Sequence, residues 1–177
     1  HPGRFNGHEQ PSEGDTQMKI FAIFVFSFLL WGGVRIYKAI VFNIEIGGHL
    51  KRAADANTVN LAEKEMEIAL RQIEASRLTS GYTSVLYKTP DEDVGFWYQN
   101  LSASLSELRA IKGESTQLER SNVLMKLRET LLDQGKEGLS VTVPEGISIF
   151  PNNAQYLLWH WISFLLSCLF FPWRDFS

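Results

Sequence analysis

Three consecutive carboxylates stand directly before three aromatic residues in the stretch TPDEDVGFWYQNL, residues 89–101. Carboxylate oxygens are the ligands that calcium and magnesium prefer, so Asp91, Glu92 and Asp93 are candidates for binding a cation. Consecutive side chains on a helical turn point in different directions, however, and do not converge on one ion. We therefore predict no metal site in this stretch.

The same stretch carries the signals of a helix start. Thr89 is a favourable N-cap residue, Pro90 suits the first helical position, and Glu92 follows Thr89 at the spacing of a capping box. We predict that Thr89 and Glu92 are structural caps of a helix that Gly113 ends. The apolar period of that helix places Trp97 in the core, and Trp97 is also kept as a candidate functional residue.

His160 has the most unusual surroundings of the four histidines. It lies inside the apolar run YLLWHWISFLLSCLFFPW, where an ionisable side chain suggests a function, so His160 is a candidate functional residue. The competing interpretation places it at a membrane interface, because it lies close to Tyr156 and between two tryptophans. His49 has no cysteine or histidine at ligand spacing, and we predict no bound metal.

The sequence contains no recognisable catalytic motif. Ser84 and Ser102 have no base at a motif spacing, and the G-x-S-x-G, Walker and Rossmann patterns do not occur. We predict no catalytic residue and no cofactor, and we expect that the protein is not an enzyme. A membrane-bound hydrolase stays open as an alternative, because a missing motif does not exclude one.

Two further helices are predicted to position these residues. Thr116 and Glu119 form a second capping box, opening a helix that ends at Gly135. The pattern of residues 50–75 predicts an amphipathic helix with Met66, Ala69 and Ile73 on its apolar face and Glu63 on the opposite, solvated face. With the helix that follows Thr89, these make a small antiparallel three-helix bundle, because at least one connection is short.

The remaining connections are less regular. Gly47 and Gly48 would allow a bend between two helices. Residues 78–87 are compatible with either a short strand or an ordered loop. Residues 139–150 contain LSVTV, the turn PEG and ISIF, which predict a short β-hairpin beside the membrane.

Composition argues against a nucleic-acid partner. The 177 residues carry 17 basic and 20 acidic side chains, a formal net charge of -3, with no basic stripe to bind phosphates. The single cysteine, Cys168, excludes an internal disulfide and lies in an apolar run, where it behaves as a small hydrophobe.

Two apolar runs predict two transmembrane helices. Residues 20–42 would span a hydrocarbon core if Arg35 and Lys38 reach toward an interface, and residues 156–173 have a sufficient length. A buried core helix and a helix lying in the interface are the alternatives. The predicted fold class is mainly α, with the two transmembrane helices flanking the three-helix bundle.

These elements divide the chain into six predicted segments. They are a disordered tail (1–17), a first transmembrane helix (18–42), the bundle (43–135), a hairpin or linker (136–153), a second transmembrane helix (154–173) and a short tail (174–177). Met18 and Lys19 look like an initiation point, so whether the first tail is native is left open. A cleavable signal peptide fits badly, because small-x-small spacing is missing after the apolar run.

Orientation depends on two opposing signals. Arg35, Lys38, Lys51 and Arg52 come after the first span, which by the positive-inside rule favours a cytoplasmic bundle. Met18 and Lys19 directly before the apolar run are typical of an anchor that exports the part of the chain on its C-terminal side. We favour the exported bundle, with both termini in the cytoplasm.

The segments LKRAADANTVNLAEKE, TSGYTSVLYKTPDEDVGFWYQNL, NVLMKLRETLLD and VPEGISIFPNN resemble a family of small bacterial two-span membrane proteins of unassigned function. The likeness covers most of residues 18–167. It implies the same architecture only and transfers no catalytic or ligand residue. The expected location is the bacterial inner membrane.

The functional expectation is a membrane-anchored helical module without enzymatic activity. It would contact membrane lipid and bind a protein partner, as a scaffold or sensor-like element, the partner being another protein or a second copy. The alternative is a small transport or channel subunit in which His160 and Cys168 face the interior of a helical assembly.

Overall fold

The chain is mainly helical with one small antiparallel sheet, as predicted. The structure is a computed structural model that describes residues 13–111, 115–135 and 138–172. Its helices are α1 (Glu13–Phe42), α2 (Gly48–Ala54), α3 (Val59–Ala75), α4 (Val94–Ala110), α5 (Gln117–Leu131) and α6 (Asn153–Leu169). The strands are β1 (Leu132–Gly135) and β2 (Gly138–Val141). Two compact units result: the helix-pair unit, residues 1–34 and 155–177, and the bundle unit, residues 35–154.

Helix α1 is long and apolar, and it continues through a π-helical turn, Asn43–Gly47, into α2. By length and composition, residues Gly14–Ala54 could cross a membrane, and this helix is the one candidate span in the described part of the chain. Signal sequences and core helices meet the same criterion, but none of the apolar window is buried. Residues 13–17, predicted to lie in a disordered tail, belong to α1, while residues 1–12 lie outside the described part.

The glycine pair does not bend the chain between two helices. Gly47 and Gly48 both have right-handed helical angles, and the N–H of Gly48 donates to the carbonyl oxygen of Asn43. A Cβ on Gly47 would lie 2.9 Å from Asn43 Oδ1, and a Cβ on Gly48 would lie 2.9 Å from Asn43 O. The two glycines therefore make room for the wider π turn, and the chain does not use them for the bend that they would allow.

The predicted helix over residues 50–75 is two helices. Residues 55–58 separate α2 from α3, and Thr58 has extended angles and accepts a hydrogen bond from the N–H of Leu61 at 3.3 Å. Thr58 is thus the N-cap of α3, because its hydroxyl replaces a missing backbone acceptor. The break lets α2 and α3 pack against each other.

The core of the bundle unit is formed by apolar side chains from the π-helical turn, from α2 to α5 and from the segment after β2. Its largest fully buried side chains are Ile46, Leu50, Met66, Ile73, Leu108, Leu131 and Val94. Two acids, Glu63 and Glu65, are buried beside them. The face of α3 that carries Glu63, predicted to be solvated, is therefore partly internal.

The β-hairpin forms one segment earlier than predicted. Leu132 pairs with Val141 and Gly135 with Gly138, so the first strand uses residues predicted to be the end of a helix. Residues Ile147–Ile149 form a 3-10 turn, not the second strand. Leu132 has extended angles, φ -119° and ψ 133°, which end α5 at Leu131 before the predicted Gly135. Gly113, the predicted end of α4, lies outside the described residues.

Helix α6 is shorter than the predicted second span. It has 17 residues and ends at Leu169, and at 1.5 Å per residue it is about 26 Å long. Pro172 comes soon after, and the residue before a proline is disfavoured in a helix, which limits extension toward residue 173. Among the described residues, only the helix that begins with α1 meets the length criterion for a membrane span.

Candidate functional site

The cap of α4 is Asp93, not Thr89. The carboxylate of Asp93 accepts hydrogen bonds from the N–H groups of Gly95, at 2.9 Å, and Phe96, at 3.1 Å. Thr89 precedes a single 3-10 turn, Pro90–Glu92, and its side chain accepts no capping bond, although its hydroxyl donates to the carboxylate of Glu92. The predicted capping box at Thr89 and Glu92 was therefore wrong by one turn.

A pairing with a distant loop explains this shift. The N–H of Val94 donates to Gly81 O at 2.9 Å, and the N–H of Thr83 donates to Glu92 O at 3.1 Å. These bonds hold residue 93 extended, so a helix beginning at Pro90 cannot continue into α4. The charge of Asp93 also raises the pKa of the Tyr82 hydroxyl, with burial and a hydrogen bond adding to the effect.

The second predicted capping box is present. Thr116 Oγ1 accepts from the N–H of Glu119 at 3.3 Å, and the Glu119 carboxylate accepts from the N–H of Thr116 at 2.7 Å. The pKa of Glu119 is lowered, first by that backbone bond and then by the Thr116 hydroxyl. These residues have a structural role at the start of α5.

Trp97 is a packing residue with one specific hydrogen bond. Its side chain is 8% exposed, and its Nε1 donates to the carbonyl oxygen of Thr142 at 3.0 Å. The indole therefore ties α4 to the segment after β2, and its position indicates no ligand. Of the two candidate functional residues, Trp97 is better explained by packing.

His160 lies among aromatic rings in the helix-pair unit. Its ring centroid is 4.6 Å from that of Trp31, 5.4 Å from Phe28, 5.5 Å from Trp161 and 6.3 Å from Phe164. Its Nδ1 is buried and has no hydrogen-bond partner among the described residues. His160 is thus enclosed by α1 and α6 side chains, which sequence reasoning could not pair with it.

Polar side chains join α1 to α6 inside this unit. Ser27 Oγ lies 3.0 Å from Ser163 Oγ and accepts a hydrogen bond from Trp159 Nε1, also at 3.0 Å. One turn along α1, Trp31 Nε1 donates to Tyr156 O at 2.8 Å. Ser163 is almost fully buried. These bonds satisfy polar atoms internally, as an apolar solvent requires.

The outside of the same unit is apolar. Large hydrophobic side chains are exposed along both helices: Ile23, Phe26, Leu29, Leu30, Leu157, Leu158, Trp161, Ile162, Phe164, Leu165 and Leu169. Water would disfavour so large a continuous apolar surface, whereas lipid chains would not. The unit therefore combines hydrogen bonds between polar side chains inside with an apolar exterior.

The bundle unit has a charged cluster that sequence reasoning missed. Glu65, on α3, is 5% exposed and lies 2.7 Å from His49 Nδ1 and 2.7 Å from Arg52 Nη2, both on α2. Glu63 lies 3.5 Å from Arg109 Nε of α4. His49 and Arg52 are three residues apart, so both face the same side of α2, and this spacing was the available signal.

The bundle unit also has a loop in which residues 85–87 are apolar and exposed. Leu86 is 82% exposed and Tyr87 is 74% exposed, with Val85 also exposed. Phe96, at the start of α4, is exposed as well. Adjacent exposed hydrophobic residues of this size are typical of contact surfaces.

Within residues 13–111, 115–135 and 138–172, no group of three or more histidine, cysteine, aspartate or glutamate residues is arranged to hold a metal ion. Asp91 is exposed, and the carboxylates of Glu92 and Asp93 are engaged by neighbouring residues. No protein-family model matches the chain, and no curated protein or solved structure resembles it significantly.

Proposed function

We propose that the chain is a two-span membrane protein of the bacterial inner membrane whose helical bundle binds a protein partner, as a scaffold or sensor-like element. The observation that carries the proposal is the helix-pair unit. Its exterior is apolar along α1 and α6, and its polar atoms at Ser27, Ser163 and Trp159 bond to one another. This arrangement is stable in lipid and costly in water.

The length of α6 is compatible with a membrane-spanning helix. Its 17 residues are at the lower limit for a transmembrane helix. Phe170 and Phe171 extend the apolar surface beyond the helix, packing against Phe24 and Phe21 of α1 at 6.0 and 5.5 Å between ring centroids. A short span of this kind is accommodated by local thinning of the bilayer.

Partner binding is supported by the exposed loop of the bundle unit. Among the described residues of the bundle unit, Leu86 and Tyr87 are the most exposed large hydrophobic side chains. A protein partner would bury this surface, and the partner is either a different protein or a second copy of the chain. The proposal includes no chemistry. In the orientation that we propose, the bundle is exported and both termini are cytoplasmic.

Site-specific photocrosslinking in intact cells tests partner binding. A photoreactive residue at Leu86 should give a discrete crosslinked species, and the same residue at Lys64, an exposed position on α3, should not. A product of twice the chain mass indicates a second copy, and any other discrete mass indicates a different protein. Equal, diffuse crosslinking from both positions would contradict a docking role for the loop.

One observation favours a second candidate, the small transport or channel subunit. His160 Nδ1 is buried without a described partner on a helix that we propose to be in the membrane. In that case His160→Phe would abolish ion or proton flux in proteoliposomes while leaving the helix pair folded. If the wild-type protein shows no ion or proton flux in proteoliposomes, the transport or channel candidate is excluded.

A further inference from the structure

The exposed loop of the bundle unit, residues 85–87, begins and ends at one small pocket. Tyr82 and Lys88 stand on either side of the loop in the sequence, and both line a pocket of about 270 Å³. The Nζ atom of Lys88 lies 5.0 Å from the centroid of the Tyr82 ring. The chain therefore leaves the pocket and returns to it within a few residues, and the exposed apolar side chains of the loop lie next to it.

The composition of this pocket suits a cation attached to a side chain. Its other lining residues are Thr89, Pro90, Asp93 and Phe96. An aromatic ring attracts a cation over its face, and the position of Lys88 shows that an ammonium group reaches the face of Tyr82. The volume lies below the range of about 300–1,000 Å³ that is usual for small-molecule sites, so the pocket suits one protein side chain better than a separate ligand.

The surroundings of the pocket are acidic. Residues 82–96 contain three acids, Asp91, Glu92 and Asp93, and a single basic residue. In the described part of the chain, no basic side chain forms an ion pair with any of the three. Glu92 and Asp93 accept hydrogen bonds from uncharged groups, and Asp91 is exposed. Their charge therefore favours a positively charged partner.

The base of the loop is fixed by backbone hydrogen bonds to the start of α4. The N–H of Thr83 donates to Glu92 O at 3.1 Å, and the N–H of Val94 donates to Gly81 O at 2.9 Å. Thr83 is also 3% exposed, so the chain is anchored just before it projects outward. A surface held in place before the partner arrives loses less conformational entropy on binding.

We propose that the pocket and the loop form one docking surface for a protein segment in which a basic side chain stands beside apolar residues. The apolar residues of the partner cover Leu86 and Tyr87, and its cation takes the place of Lys88 over the Tyr82 ring. Arginine suits this position better than lysine, because a planar guanidinium stacks on an aromatic face. The inference rests on the proposed function and adds the chemistry of the partner.

Photocrosslinking from position 86 in intact cells, compared between variants of the full chain, tests this chemistry. Asp91→Lys reverses an exposed charge beside the pocket and should lower the yield of the discrete product at least about threefold. Lys88→Met removes the competing ammonium and keeps an unbranched side chain, so the yield should rise or stay unchanged. The matched control is Glu129→Lys, which reverses an exposed charge on α5 and should leave the yield unchanged.

Two substitutions of Tyr82 isolate the contribution of the ring. Tyr82→Phe keeps an aromatic face and should keep most of the yield. Tyr82→Leu keeps apolar surface without the ring and should lower the yield about threefold. Thermal unfolding of each variant in detergent micelles shows whether the chain is folded. Where Tyr82→Leu fails to fold, the result for Asp91→Lys decides.

The outcomes separate this inference from the proposed function. If the wild type gives no discrete product from position 86, partner binding at the loop fails, and this inference fails with it. If a discrete protein product forms but its yield is unchanged or higher in Asp91→Lys, the partner stays and only its basic chemistry is overturned. Equal yields from folded Tyr82→Phe and Tyr82→Leu would also overturn the inference, and so would a product of lipid mass in place of a protein.

Discussion

Trp31 donates its indole N–H to the carbonyl oxygen of Tyr156 at 2.8 Å, which joins α1 to α6 one helical turn away from the Ser27 and Ser163 contact. The same indole packs against the His160 ring at 4.6 Å between centroids. These two polar contacts between α1 and α6 lie on one face of α1 and fix the register of the two helices. Such hydrogen bonds stabilise a helix pair most where no water competes for the donors.

Ser27→Ala should destabilise the helix pair by about 1 kcal/mol, near the upper part of the range for polar contacts between membrane helices. The substitution leaves the Trp159 indole N–H without its acceptor and removes the partner of the Ser163 hydroxyl. Unfolding in mixed micelles measures the effect. Ser106→Ala is the control, because the Ser106 hydroxyl bonds only within α4, to Ser102 O. An equal loss in both variants would contradict an interhelical role for Ser27.

Asp93→Ala should cost about 1 kcal/mol of stability, since it removes the acceptor for two backbone N–H groups at the start of α4. Thr89→Ala should cost less, because Thr89 caps no helix through its side chain. Chemical denaturation of the full chain in micelles compares the two. A larger loss of stability for Thr89→Ala than for Asp93→Ala would contradict this assignment and support the capping box predicted at Thr89 and Glu92.

Trp97→Ala should cost roughly 3 to 5 kcal/mol, because a buried aromatic side chain is lost and a cavity remains. Trp97→Phe keeps most of the packing and removes the hydrogen bond to Thr142 O, which should cost about 1 kcal/mol beyond the smaller packing change. Tyr98→Phe removes an exposed hydrogen bond to Glu74 and serves as the control, with little expected effect. A loss for Tyr98→Phe as large as that for Trp97→Phe would contradict the assigned role.

Acid should loosen the first turn of α5. The lowered pKa of Glu119 in the folded chain means that its stabilising contribution is present above the unfolded value of about 4.3. That contribution is lost as pH falls through the folded value. After correction for intrinsic exchange rates, the protection of amides at the start of α5 should therefore decrease on acidification. Glu119→Gln should remove this dependence, whereas Glu129→Gln, an exposed glutamate later in α5, should retain it.

The two capping predictions show how much sequence spacing determines. The box at Thr116 and Glu119 uses only bonds within one turn, and it forms as predicted. The box predicted at Thr89 has the same local signals. It fails because the backbone of residues 92–94 pairs with Gly81 and Thr83, a contact that no local pattern encodes.

The buried acids of α3 are a second case in which a tertiary contact, not the local sequence pattern, determines the structure. Helical periodicity identifies Met66, Ala69 and Ile73 as internal, and all three are fully buried. It assigns Glu63 to the solvated face because glutamate is usually exposed. Arg109 reaches Glu63 from α4, and this tertiary partner makes burial of the carboxylate possible.

Membrane topology tests the central claim, that α1 and α6 both cross the bilayer. In a Cys168→Ser background, single cysteines are introduced by Thr16→Cys before the first span, Ser106→Cys in the bundle and Ser177→Cys after the second. A membrane-impermeant maleimide is applied to intact spheroplasts and to lysed ones. The proposal predicts labelling of position 106 in intact spheroplasts, and of positions 16 and 177 only after lysis. If positions 106 and 177 were both labelled in intact spheroplasts, and position 16 only after lysis, the chain would cross the membrane once. That result would contradict the two-span proposal.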